Sequence, residues 1–131
     1  MPWPAQLSRC KRDVHKNDFG HVLVLAGSAR MLGAAALCSL ASMRSGAGLA
    51  TVGVPESLNK SLQAKVSSVV MTWPLPETPE HTIAPKAINT LKSAWGHYQA
   101  VVVGPGLSAH PKTQAFILKV IEHCPLPLVI D

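Results

Sequence analysis

The sequence predicts an α/β fold in which a mostly parallel central sheet is covered by helices on both faces. Two observations carry this prediction. Continuous apolar runs next to glycine, such as residues 20–27 and 99–104, are typical of parallel strands that are buried on both sides. Segments with helical spacing of apolar residues separate these runs, and such alternation favours a parallel sheet with right-handed crossovers.

The predicted elements follow in order along the chain. Strands are predicted over residues 20–27, 49–54, 69–73, 99–104 and 126–131, the last of them as a buried strand. Helices are predicted over residues 33–45, 57–66, 87–95 and 111–123. Pro111 starts the last helix in its favoured first turn, and the residues expected to face inward there are Phe116, Ile117, Val120 and Ile121. Four prolines between residues 73 and 85 predict an irregular surface connection.

Length and composition limit the class of protein. The chain has 131 residues, 47% hydrophobic and 15% charged, which suits one domain and excludes a disordered tail. Ser39 and Ser42 interrupt the most apolar stretch, so no transmembrane helix is predicted. The first residues lack the apolar core of a signal peptide, so a cytoplasmic protein is expected. Because a covering helix normally follows a strand such as 126–131, we expect residues 1–131 to be a truncated piece of a larger domain.

Cysteine spacing and charge narrow the possible ligands. Three cysteines without a CxxC pair exclude a disulfide framework and a zinc cluster, and Cys38 is expected to pack as a small hydrophobic residue. Six histidines without HxH or HExxH spacing predict no metal site. The net charge of +5 favours anionic partners such as a nucleotide, whereas six aromatic residues give no support for nucleic acid. The cations that crowd near the start are Arg9, Lys11, Arg12 and Lys16.

Three glycine-bearing turns are candidate ligand sites, because open α/β sheets bind ligands at the carboxyl ends of their strands. We expect turns 27–34, 46–48 and 104–107 at that edge. The first leads into a helix N-terminus, which favours an anion, but it has neither P-loop nor GxGxxG spacing. The Gly104-Pro105-Gly106 turn either brings bare backbone against a ligand or only needs positive φ angles.

Few acids and bases are candidates for chemistry. Asp131 ends a strand, where α/β enzymes place catalytic and ligand-holding carboxylates. The other acids, including Glu77 and Glu80, are expected to be solvated surface charges. His15 and His21 flank the entrance of the first strand and are interpreted as structural. GxSxG is absent, so no serine hydrolase site is predicted.

Four motifs in order form a specific pattern. Residues 15–28 are HKNDFGHVLVLAGS, followed by GAA at 33–35. The others are MRSGAGLATV at 43–52, VGPGL at 103–107 and PLVID at 127–131. Together these motifs resemble the ADP/ATP-dependent NAD(P)H-hydrate dehydratase family. Asn17 and Ser108 depart from glycines of the family pattern. The resemblance implies a ribokinase-like fold and identifies the chain as the N-terminal half of that domain.

The resemblance also implies a function. The expected activity is that of a lyase: ATP- or ADP-dependent dehydration of the S form of hydrated NADH or NADPH, with Mg²⁺. A homo-oligomer is expected, and an epimerase acting on the R form is an expected partner. Two alternatives stay open: another ribokinase-like small-molecule kinase, for example of a vitamin precursor, and a non-catalytic nucleotide-binding module.

The resemblance assigns binding residues but no catalytic ones. Ala34 and Gly106 match hydrate-binding positions of the family, and the residues expected to line the same cleft are Gly27, Ser28, Gly33, Gly104 and Asp131. The family's ATP-binding residues and catalytic aspartate match no position in this sequence, and no metal ligand is assigned. We therefore expect the 131-residue chain alone to be inactive.

Overall fold

The computed structural model describes residues 13–131, so Arg9, Cys10, Lys11 and Arg12 lie outside the described residues. The strands in this part of the chain are β1 (His21–Leu25), β2 (Leu49–Pro55), β3 (Val70–Leu75), β4 (Ala100–Val103) and β5 (Leu128–Ile130). Its α-helices are α1 (Leu32–Arg44), α2 (Asn59–Gln63), α3 (Ala87–Lys92) and α4 (Pro111–His123). Short 3₁₀ turns span Lys16–Phe19, Glu56–Leu58 and Trp95–His97.

The strands form one parallel sheet in the order β3-β2-β1-β4-β5. Helices α1 and α2 cover one face, where Val24 and Val52 pack with Ala35 and Leu62. Helices α3 and α4 cover the other face. Successive side chains of β1 point to opposite faces, so both faces of that strand must be apolar. The prediction of a parallel sheet with helices on both sides is confirmed.

Helix α1 packs closely on the sheet through small side chains. Ala35, Ala36 and Ser39 are buried, whereas Leu37 is 73% exposed. The Ser39 hydroxyl donates to the Ala35 carbonyl at 2.8 Å, which satisfies this polar group inside the core. Cys38 is half-buried against the same core, as predicted, and burial raises the pKa of its thiol.

Helix α4 begins at Pro111 as predicted, but one of its predicted inward residues is wrong. Phe116 and Val120 are fully buried and Ile117 packs at the edge of the core, whereas Ile121 is 42% exposed. The buried face instead includes Thr113. The buried residues Thr113, Phe116 and Val120 follow one another at spacings of three and four residues, so they share one face of the helix. Ile121 comes directly after Val120 and lies to the side of this face.

The predicted break after Trp73 comes two residues later, because β3 continues through Pro74 to Leu75. Proline is tolerated there since β3 is an edge strand. The connection that follows is irregular, but it is not all surface, as Thr82 and Ile83 are buried.

Three other element predictions need correction. The helix predicted over 57–66 divides into the 3₁₀ turn Glu56–Leu58 and α2, and the helix predicted over 87–95 ends at Lys92. Strand β5 lies at the edge of the described sheet, and Val129 and Ile130 are 60% and 54% exposed. The prediction that β5 is buried is therefore wrong for the described residues.

The glycine turn at 46–48 lies at the amino edge of the sheet, so its predicted place at the ligand edge is wrong. It follows a helix and enters β2, and the Gly48 N–H donates to the Gly20 carbonyl at 3.1 Å. His15 and His21 lie at this same edge. The His15 Nδ1 accepts from the Asn17 N–H at 3.3 Å, and the His21 Nε2 lies 2.8 Å from the Thr51 Oγ1. Both contacts agree with the structural interpretation of the two histidines.

Candidate functional site

The carboxyl ends of β1 and β4 form the crevice where a ligand is expected. The two strands are neighbours, but α1 leaves β1 toward one face and α4 leaves β4 toward the other. Such a switch point leaves an opening between the loops that follow the strands. The Gly27 N–H donates to the Pro105 carbonyl at 2.8 Å and joins these loops across the opening.

Gly106 rests directly on the start of α1. Its φ angle is +69°, and a Cβ atom there would lie 2.7 Å from the Met31 carbonyl oxygen and 2.9 Å from the Ala34 Cβ. The two positions that were matched to hydrate binding are thus in contact with each other. The turn does need positive φ, as one of the two open interpretations predicts; contact with a ligand stays a prediction.

Asp131 packs against Gly104 on the same edge. Gly104 has a φ angle of +132°, and a Cβ atom there would lie 2.6 Å from the Asp131 carbonyl oxygen. The Asp131 N–H donates to the Val103 carbonyl at 3.1 Å, which holds the end of β5 beside β4. All seven predicted site residues lie at the carboxyl edge of the sheet: Gly27, Ser28, Gly33, Ala34, Gly104, Gly106 and Asp131.

Two adjoining depressions open at this edge. The smaller, of about 350 Å³, is lined by Gly104, Gly106 and Asp131, among others. The larger, which we call the polar cleft, has a volume of about 550 Å³ and is lined mainly by Ser28, Arg30, Glu80, Thr82, Ser108 and His110. Met31, Ser108 and Ala109 line both depressions, so the two form one continuous surface.

The sequence did not predict most of the residues that line the polar cleft. Glu80 is exposed, as expected, with 53% of its side chain accessible, and its Oε2 lies 3.5 Å from the His110 Nε2 across the cleft. Hydrogen bonds from its own backbone N–H and from the Thr78 hydroxyl lower the pKa of Glu80. The His110 Nδ1 accepts from the Lys112 N–H at 3.3 Å, which leaves Nε2 directed toward Glu80. The one indication of this arrangement in the sequence is that a histidine directly precedes Pro111, the first residue of α4.

Glu77 also was expected to be solvated, and this prediction is wrong. The Ser57 N–H and hydroxyl both donate to Glu77 Oε2, at 3.0 and 2.7 Å, and the His81 Nδ1 lies 3.2 Å from Oε1. Burial alone raises the pKa of Glu77, but hydrogen bonds from Ser57 and His81 outweigh burial and lower it. The His81 carbonyl accepts from the Ala29 N–H at 3.3 Å. Glu77 therefore joins the loops that follow β2 and β3, and the His81 carbonyl joins them to the loop that follows β1.

Within residues 13–131, no group of three or more histidine, cysteine, aspartate or glutamate side chains is arranged to hold a metal ion. No helix in the same range is long and apolar enough to cross a membrane.

The part of the chain that contains this site is similar to known proteins. The family model of the NAD(P)H-hydrate dehydratases matches residues 22–131. The chain belongs to the NAD(P)H-hydrate dehydratase family. The matched range covers both depressions and the seven predicted site residues, and the family resemblance inferred from the four motifs is confirmed.

Curated members of this family are similar to the chain over only part of their length. The bifunctional NAD(P)H-hydrate repair enzyme of Moorella thermoacetica is 33% identical over 127 residues, which are 97% of this chain and 24% of that enzyme. The ADP-dependent (S)-NAD(P)H-hydrate dehydratase of Listeria monocytogenes is 28% identical over 103 residues, 79% of this chain and 33% of that protein. The chain thus spans about a quarter of the length of most of these relatives.

Solved structures share the fold of this chain. The ADP/ATP-dependent NAD(P)H-hydrate dehydratase of Bacillus subtilis, co-crystallised with ATP/Mg²⁺, superposes with a TM-score of 0.68 and 27% identity, over 94% of this chain and 40% of that one. A ribokinase-like superfamily protein of Enterococcus faecalis gives a TM-score of 0.70 at 22% identity, over 92% and 39%. The prediction of a ribokinase-like fold is confirmed.

Proposed function

We propose that the protein containing this chain dehydrates the S form of hydrated NADH or NADPH and restores the reduced dinucleotide. ATP or ADP, with Mg²⁺, transfers its terminal phosphoryl group to the hydroxyl of the hydrate. Phosphate then leaves while a proton is lost from the adjacent carbon, which restores the double bond. Membership of the NAD(P)H-hydrate dehydratase family supports this activity. Residues 1–131 are the N-terminal portion of the single domain that performs it.

The contact between Gly106 and Ala34 is the observation that carries the proposal. It brings two backbone segments with almost no side chain to the crevice between β1 and β4. The hydrated ring can approach such a surface closely, because no side chain stands between ring and backbone. We assign Ala34 and Gly106 as the wall for the hydrated ring, and the smaller depression with Gly104 and Asp131 as its surroundings.

The remaining predicted residues have supporting roles in this proposal. Gly27 and Gly33 allow the loop after β1 and the first turn of α1 to lie close to the ligand, and Ser28 lies at the base of the polar cleft. The phosphoryl donor and Mg²⁺ are assigned to none of these residues, because the family's ATP-binding residues match no position in this sequence. The co-crystallisation of the Bacillus subtilis relative with ATP/Mg²⁺ supports this choice of donor.

The test measures restored NADH by its absorbance. The complete protein is incubated with hydrated NADH, Mg²⁺ and either ATP or ADP, and the 131-residue chain, which is expected to give no turnover, is assayed beside it. Ala34→Leu in the complete protein should raise KM for the hydrate about tenfold, because the new side chain fills the ring position. A phosphorylated product without NADH would identify a small-molecule kinase, and nucleotide binding without turnover would identify a non-catalytic module.

Assembly is part of the same proposal. We propose that the protein forms a homo-oligomer through the outer face of α1, which has no charged residue between Leu32 and Met43 and leaves Leu37 73% exposed. An epimerase acting on the R form would supply the S form, and a cytoplasmic location would place both near the reduced dinucleotides. Light scattering measures the molar mass of the wild type and of Leu37→Asp, and the variant should have the smaller mass. Equal masses would contradict an interface at this face of α1.

A further inference from the structure

The polar cleft carries features that the reacting ring of a hydrate does not need. Arg30 lines it and forms no ion pair with another described residue. Ser28, only 3% exposed, has a hydroxyl without a hydrogen-bond partner among the described residues, which is costly in a folded protein. An unpaired guanidinium and an unsatisfied hydroxyl that line the same cleft suit an anionic group with acceptor oxygens.

The start of α1 adds to this preference for an anion. Its first turn contains no acidic residue, and Met31 at its N-cap gives no side-chain hydrogen bond to the free N–H groups. These groups and the helix dipole therefore favour negative charge beside Arg30. Charge and hydrogen bonding point to the same kind of ligand group.

The shape of the surface matches a long ligand with two different ends. The smaller depression continues into the polar cleft across Met31, Ser108 and Ala109. The cleft's volume of about 550 Å³ lies within the range of about 300–1,000 Å³ that is typical of small-molecule sites. A ligand whose ring lies at Gly106 thus has room to extend toward Arg30.

We propose that the polar cleft binds the adenosine diphosphate arm of the dinucleotide, with the diphosphate at Arg30 and the start of α1. The inference rests on the proposed function, which places the hydrated ring at Gly106. Glu80 lies elsewhere on the cleft wall, where a carboxylate repels phosphate but accepts hydrogen bonds from ribose hydroxyls. Glu80 is therefore assigned to unphosphorylated ribose hydroxyls of the dinucleotide and not to its diphosphate.

The first test compares two substrates of the complete protein: hydrated NADH and hydrated reduced nicotinamide riboside, which has the reacting ring but no phosphate. Arg30→Ala should raise KM for hydrated NADH about tenfold or more, the loss expected for one charge-assisted contact. It should leave kcat/KM for the riboside unchanged. Arg44→Ala, at the other end of α1, is the matched control and should alter neither. An equal loss on both substrates, or no loss on either, overturns the inference.

The second test does not depend on turnover. Calorimetry measures the binding of ADP-ribose, which is the arm without the ring, in the presence of saturating ATP and Mg²⁺. Arg30→Ala should weaken its Kd about tenfold and Arg44→Ala should not change it. An equal Kd in wild type and Arg30→Ala, or no binding to the wild type, overturns the inference. A wild type that binds ADP-ribose through Arg30 but restores no NADH contradicts the proposed function alone.

Discussion

Gly106 and Ala34 are so close that a Cβ atom at position 106 would lie 2.9 Å from the Ala34 Cβ. The turn after β4 therefore rests on the first turn of α1 without an intervening side chain. The contact lies at the opening between β1 and β4, from which α1 and α4 leave toward opposite faces of the sheet. A small change in volume at either residue must move one loop away from the other.

Gly106→Ala should lower the free energy of unfolding by about 1–3 kcal/mol, because alanine is strained at a φ of +69° and its Cβ meets the Met31 carbonyl. Gly33→Ala is the matched control. No described atom lies within 4 Å of a Cβ built there, and alanine suits a helix better than glycine by up to about 1 kcal/mol. Urea unfolding measures both variants, and equal effects would contradict the packing of Gly106.

Glu77 should make stability depend on acidity. Because the pKa of its carboxyl is lower in the folded state, its contribution is complete above the ordinary glutamate pKa and is lost as pH falls below it. The free energy of unfolding should fall less steeply between about pH 5 and pH 3 in Glu77→Gln than in the wild type. Glu122→Gln, at a side chain that is 74% exposed, should follow the wild type. Parallel curves for wild type and Glu77→Gln would refute this role.

His21 should also make stability depend on pH, in a higher pH range than Glu77. Burial lowers the pKa of its ring in spite of a hydrogen bond to the His97 backbone, so the unfolded chain takes up a proton more readily. Its contribution is complete above about pH 6.5 and is lost as pH falls below that value. Thermal unfolding between pH 8 and pH 5 should show a smaller decrease for His21→Gln than for the wild type. His123→Gln at the end of α4 should keep the wild-type slope, and the same slope in both variants would count against burial of His21.

A row of buried threonine hydroxyls links the connection after β3 to α4. The Thr113 hydroxyl donates to the Thr82 Oγ1 at 2.7 Å, and Thr78 Oγ1 lies 2.9 Å from Thr82 Oγ1. Thr82→Val leaves the Thr113 hydroxyl buried without this partner, so unfolding free energy should fall by about 1–3 kcal/mol. Thr90→Val on the exposed face of α3 should change it by less than about 0.5 kcal/mol. Chemical denaturation measures the unfolding free energy of both variants, and a similar loss in Thr82→Val and Thr90→Val would contradict the hydrogen-bond network.

The sequence predicts β1 and β4 well, because burial on both faces makes residues 22–25 and 100–103 apolar. It predicts Gly104 and Gly106 because their turn requires positive φ. Leu37 and Ile121 could not be placed by helical spacing alone, since the direction of the buried face depends on where the helix crosses the sheet. For Arg30, Glu77 and Glu80, the neighbouring residues in the sequence give no indication of a role in the site. Their roles arise from loops that follow different strands and meet only in the folded chain.

The position of β1 at the centre of the sheet has a consequence for the order of folding. It pairs on one side with β2, where Val22 lies opposite Ala50, and on the other with β4, where Val22 lies opposite Ala100. The first pairing closes a short loop and the second a long one, so β1–β2 should form sooner. The walls of the crevice follow β1 and β4, the two strands of the second pairing. During synthesis the crevice can form only after β4 and the turn after it have left the ribosome, so a ligand cannot stabilise the earlier pairing of β1 with β2.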